Sequence, residues 1–132
     1  MTATNTPDLD EHVSSHAFDA TIERLVRAIR AHGMTVFATI DHAANARDVG
    51  MTMPASTVLV YGNPKGGTPV MLATPSAALD LPLRVLVREA EDGKTIIAFH
   101  PVAGMLGQLG VSAELAERLE PAQQLLLLAV GS

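Results

Sequence analysis

The stretch LPLRVLVREAEDGKTIIAF, residues 81–99, constrains the fold more than any other. Leu83, Val85 and Val87 alternate with Arg84, Leu86 and Arg88; Asp92-Gly93 supplies a turn signal; Thr95, Ile97 and Phe99 alternate on the return. Period-two spacing on both sides of an Asp-Gly pair predicts a β-hairpin. A hairpin pairs its strands antiparallel, so it argues for a mixed or antiparallel sheet and against a fully parallel one.

The remaining elements arrange themselves around that hairpin. HVSSHA, residues 12–17, reads as a short edge strand, and Asp19 as the cap of a helix carrying Ile22, Leu25, Val26 and Ile29 on one stripe. Gly33 supplies its left-handed stop. MTVFATI (34–40) alternates as a strand, and DHAANARDVG reads as a short helix with Asp41 as cap and Gly50 as stop. TVLVY (57–61) is a continuous β-branched run, which predicts a central strand covered on both faces. Thr68-Pro69 and Thr74-Pro75 each carry a cap followed by proline, so two short helical pieces with a bend between them are expected. Beyond Pro101 the chain is helical: VAGMLGQLG weakly, AELAERLE capped by Ser112 with Glu114 in its first turn, and AQQLLLLAV restarted by Pro121. The order is β-α-β-α-β-α-β-β-α-α. It describes one α+β domain over 12–132, with about five strands and helices packed on the sheet, a helical tail at 112–130, and a flexible tail over 1–11.

A chain of 132 residues suits a single core. It has no cysteine, which excludes disulfides, thiolate metal sites and cysteine nucleophiles. Nine basic residues against fourteen acidic give a net charge of −5, so nucleic acid is not an expected partner. Arg24, Arg27 and Arg30 read as a solvated helix face supported by a Glu23/Arg27 pair. No apolar run approaches the ~18 residues of a membrane span. MTATNTPDLDEH lacks the basic start and apolar segment of a signal peptide, and the chain is read as cytoplasmic.

Two places could carry chemistry. Gly62, Gly66 and Gly67 are free to take positive φ. If Gly66, Gly67 and Thr68 precede a helix, their amides form an anion nest beside Lys65, with Asn63 on the approach. The spacing is neither a P-loop nor a dinucleotide fingerprint, and a plain strand-to-helix corner is the competing reading. Asp41-His42, at a strand end entering a helix, is a proton-transfer pair or simply a cap and its neighbour. His12, His16 and His100 have no diagnostic metal spacing, so no metal or cofactor is assigned, and His32 suits the end of a helix. No G-x-S-x-G elbow is present, and the methionines read as core fillers.

VFATIDHAANARDVGM, VLVYGNPKGGTPVM and LDLPLRVLV together resemble the family known as domain of unknown function 302. The shared features are Asp41-His42, Gly62-Asn63-Pro64 with Gly67-Thr68, and Leu79-Asp80-Leu81-Pro82-Leu83-Arg84, within residues 12–110. The resemblance implies a compact α+β domain and a homodimer, and no established activity. Tyr61 stands where the family pattern leads one to expect phenylalanine. These segments select one candidate cleft lined by Asp41, His42, Asn63, Lys65, Thr68, Asp80 and Arg84, with Asp80 and Arg84 either facing a ligand or pairing together. The expected function is a module that binds a small, anionic ligand. The alternatives are an enzyme using Asp41 and His42, and an interaction protein whose apolar surface makes oligomers.

Overall fold

The computed structural model of the chain describes residues 8–131, so the expected tail lies largely outside the described residues. The elements run β1 (Asp10–Val13), α1 (Phe18–Ala31), β2 (Thr35–Asp41), α2 (His42–Asp48), β3 (Ser56–Gly62) and α3 (Pro64–Ala73). After a 3₁₀ turn (Pro75–Leu79) come β4 (Leu83–Glu89), β5 (Thr95–Phe99), α4 (Val102–Gly107), α5 (Ala113–Glu117) and α6 (Pro121–Val130). The five strands form one sheet in the order β1-β5-β4-β3-β2, and every neighbouring pair is antiparallel.

The hairpin expected at 83–99 sets the register of this sheet. Val87 faces Ile97, and Leu59 of β3 faces Val85. Because side chains alternate across a strand, Leu59, Tyr61, Leu83, Val85, Val87 and Ile97 share one face, and all are buried. Leu25 and Ile29 of α1 and Leu125 and Leu126 of α6 close that core. Each such fully buried side chain contributes about 1.5–3 kcal/mol relative to exposure. The hairpin connection is a three-residue loop, Glu91-Asp92-Gly93. Ala90 N–H donates to the Lys94 carbonyl, and only Gly93 has positive φ, at 83°. One left-handed residue after a turn is the glycine bulge form of hairpin, rather than a two-residue turn.

Several local expectations are corrected by tertiary packing. β3 is covered on one face only: Val58 and Val60 on the other are half-buried. β1 lies at 10–13, and residues 14–17 turn away, with the Ser14 hydroxyl bonded to that of Thr21 at 2.7 Å. The N-cap of α1 is Ala17, with no side-chain cap, and Asp19 sits inside the first turn. Glu23 and Arg27 do not pair; the nearby Arg24 instead donates from Nε to the Ala129 carbonyl at 2.8 Å. The leucine run divides by helical geometry: Leu125 and Leu126 are buried, whereas Leu128 is 82% exposed. The C-terminal helices are therefore part of the core.

The bend at 74–75 occurs as expected, but α3 starts earlier than Thr68. Asn63 is its N-cap, its Oδ1 accepting from Lys65 N–H at 2.9 Å, and Pro64 is the first helical residue. Pro69 lies within the helix.

Candidate functional site

The early start of α3 changes what its glycines do. Gly66 and Gly67 are helical, and both amides already donate to the Asn63 carbonyl, at 2.9 and 3.0 Å. The positive-φ glycines among the described residues are Gly33, Gly50, Gly93 and Gly110. With Lys65 N–H spent on the Asn63 side chain, the glycine amides form no nest aimed at solvent. Their value is room instead. A Cβ on Gly66 would lie 3.2 Å from Leu119 Cδ2, so α3 approaches the end of α5 closely there. A Cβ on Gly67 would point between Leu81 and Met71, 3.8 Å from each.

That direction leads into a cavity of about 450 Å³. Its floor is the end of β3 and the start of β4, Gly62 and Leu83. Its walls are Asn63, Gly66, Gly67 and Thr68 on one side and Leu119, Ala122 and Leu125 on the other. Met34, Phe37, Met71 and Leu81 give it an apolar body, and His32 and Arg118 also line it. His32, the C-cap of α1, has Nδ1 2.9 Å from the Ala28 carbonyl, in keeping with its expected helix-end role.

A second, wider hollow of about 740 Å³ lies on the half-covered face of the sheet. Val58, Val60 and Leu86 floor it, and His42, Asp80, Arg84 and His100 line it. Leu81, Pro82 and Leu83 border both hollows and act as a partition. The proposed cleft residues are thus divided: Asn63 and Thr68 line the first cavity with Gly66 and Gly67; His42, Asp80 and Arg84 line the second; Asp41 and Lys65 line neither.

Asp41 is the expected cap of α2, its Oδ1 accepting from Ala44 N–H at 2.9 Å, and no hydrogen bond joins it to His42. Asp80 and Arg84 form no ion pair; the ion pairs among the described residues are Arg88–Glu11 and Arg118–Glu114. The remaining histidines are scattered. His12 stacks on Phe99, His100 Nδ1 lies 2.6 Å from the Asp8 carbonyl, and His16 sits beyond the strand. No group of three or more His, Asp or Glu suited to a metal occurs among the described residues.

Tyr61 proves to be structural. It is wholly buried, and its hydroxyl donates to the Ala122 carbonyl at 2.8 Å, tying the end of β3 to the start of α6. Burial pushes its phenol well above the ordinary range, because the phenolate would lose its water. The sequence missed Arg118, Leu119 and Leu125 as site residues. A glycine pair at 66–67 signals close approach, but nothing local names Leu119 as the side chain approaching.

Fold and cavity together define a small α+β domain with an apolar cavity at one end of an antiparallel sheet. The chain belongs to the family described as Domain of unknown function DUF302, which it matches over residues 11–129, taking in the C-terminal helices. A crystal structure of an uncharacterised conserved DUF302 protein from Bacillus stearothermophilus shares the fold, with a TM-score of 0.79 and 19% identity, covering 92% of this chain and 94% of that one. Two curated relatives are fluoride-specific ion channels. FluC 1 of Brucella suis is 34% identical over 105 residues, which is 78% of this chain and 41% of that protein. FluC 2 of Brucella melitensis is 34% identical over 105 residues, 78% of this chain and 39% of that protein. The chain spans about two fifths of the length of these relatives. No helix among the described residues is long and apolar enough to cross a membrane.

Proposed function

We propose that this domain is a small-molecule binding module whose ligand sits in the cavity between the first turn of α3 and the start of α6. The observation that carries this reading is the cavity: its volume of about 450 Å³ falls within the roughly 300–1,000 Å³ of ligand pockets, and an apolar body with a few polar groups is their usual lining. The anion nest is no longer its support, since those amides are paired. Proton transfer by Asp41 and His42 has no support from a hydrogen bond, and the Asp41 carboxylate is committed to its cap.

The test uses a neutral apolar fluorophore, N-phenyl-1-naphthylamine. It is expected to bind with enhanced fluorescence. Gly67→Leu, which grows a side chain toward Leu81 and Met71, is expected to weaken binding about tenfold or more, the loss of roughly 1.4 kcal/mol. Undiminished binding by a folded Gly67→Leu protein would sink the reading, with circular dichroism checking the fold.

Two observations favour associations around this module. The outer face of the sheet keeps Val13 58% exposed at one edge and, at the other, Ile40 39% exposed beside half-buried Val58 and Val60. β2 is an edge strand without lysine, arginine or proline, and beyond the irregularity between Val36 and Ala38 its residues 38–41 pair regularly with β3. Such an edge invites a further strand, and a second copy is the proposed partner; sedimentation velocity giving only monomer at micromolar concentration would remove it. The Brucella channels favour a second reading, an accessory domain to a membrane transport protein. The longest described helix here has 14 residues, and a span needs about 20. The shared segment is thus read as a domain carried beside a pore. Failure of the chain to co-purify with such a channel's membrane region would count against this.

A further inference from the structure

We infer that the ligand of the first cavity is an apolar body bearing one carboxylate, held at the mouth by Arg118. This rests on the cavity's being the binding site and adds the chemical class of what it holds. The chain carries fourteen acidic residues against nine basic, yet among the described residues the lining includes Arg118 and His32 and no Asp or Glu. The neighbouring hollow contrasts with it, since Asp8 and Asp80 oppose Arg84 there. A carboxylate entering the first cavity meets no like charge in its lining; Glu114 lies outside it, against Arg118.

The donors are only lightly engaged. Arg118 has one ion-pair contact, Nη2 to Glu114 Oε1 at 3.4 Å, between side chains that are 61% and 83% exposed. An exposed i,i+4 pair of that length is weak, and a guanidinium has five N–H donors in a fork that matches a carboxylate. A ligand can therefore take Arg118 over at small cost. Among the described residues Asn63 has spent only its Oδ1, on Lys65 N–H, and neither its amide N–H groups nor the Thr68 hydroxyl has a partner. Both line the same cavity as Arg118. The rest of the lining, with Met34, Phe37, Met71, Leu81 and Leu125, suits hydrocarbon. Two methionines let the wall adapt to its shape.

A matched set of probes tests the assignment: decanoate, 1-decanol and decylammonium, each competing with N-phenyl-1-naphthylamine. Decanoate is expected to displace the fluorophore about tenfold more strongly than the alcohol, as one charge-assisted hydrogen-bonded pair would give. Decylammonium is expected to be the weakest. Arg118→Gln should bring the acid-to-alcohol ratio near one. Glu114→Gln, which removes Arg118's competing partner, should raise that ratio. Arg27→Gln, an equal change of net charge on an exposed arginine of α1 that has no ion-pair partner among the described residues, should leave it unaltered. Equal displacement by acid and alcohol, or a preference that survives Arg118→Gln, overturns the carboxylate while leaving the cavity reading intact. Absence of fluorophore binding overturns both.

Discussion

Tyr61 shows how one hydroxyl can matter to the whole cavity. Its O–H joins the end of β3 to the Ala122 carbonyl, and Ala122 lines the cavity mouth. Tyr61→Phe is expected to cost about 0.5–1.5 kcal/mol, the net worth of one such bond, measured by urea unfolding. Its phenol also makes stability depend on pH. The folded state holds the proton above the ordinary phenol value of 10.0, so the folded form binds more protons than the unfolded form in alkali. The stability this represents is complete below that value and is lost as pH rises beyond it. The chain has a single tyrosine, so phenolate absorbance reports Tyr61 alone. At about pH 11, where a free tyrosine is mostly ionised, the folded protein should show little phenolate and the urea-unfolded protein a full signal. Equal signals would contradict the burial described.

At the scale of elements, α6 is the member that other segments are fastened to. Gln123 is buried at its start, with Oε1 accepting from Val102 N–H at 3.0 Å and Nε2 donating to the His100 carbonyl at 2.8 Å. At the far end, the Ser15 amide and hydroxyl and the Arg24 guanidinium reach the Val130 and Ala129 carbonyls. Gln123→Ala strands a donor and an acceptor together, and should destabilise by about 2–6 kcal/mol in equilibrium unfolding, at roughly 1–3 kcal/mol per buried unpaired group. A change below half a kilocalorie, on the order of an exposed-site substitution, would mean the clamp is not needed. Elements of this kind were legible where the signal is local. The hairpin, the strand order along the chain, the α1 stripe and the Asp41 cap all follow from spacing of a few residues. The start of α3 is ambiguous in sequence because Asn63-Pro64 and Thr68-Pro69 carry the same cap-then-proline pattern, and the glycines between them suit a loop as well as a helix. Packing against Leu119 decides between the two, and that contact spans more than fifty positions in sequence. Arg118 was illegible as a site residue for the same reason. Its place depends on where the last three helices fold back.

For the molecule as a whole, the likeness to fluoride channels makes a direct comparison informative. Fluoride is small and strongly hydrated, and an apolar cavity does not replace its water. Thermal unfolding in sodium fluoride and in sodium chloride, at equal millimolar concentration where general salt effects are small, should therefore coincide. A selective rise in fluoride would show that this domain holds the ion itself, against the cavity chemistry argued above. Removal of the residues after 110 should unfold the domain, because Leu125, Leu126 and Val130 belong to the same core as the sheet. A folded truncated chain by circular dichroism would contradict that.

The partition at Leu81, Pro82 and Leu83 has two sides, and neither hollow owns it. Protein interiors yield by shifting between packed arrangements rather than by stretching. An occupant of either hollow that displaced Leu81 or Pro82 would therefore reshape the other, because the same side chains line both.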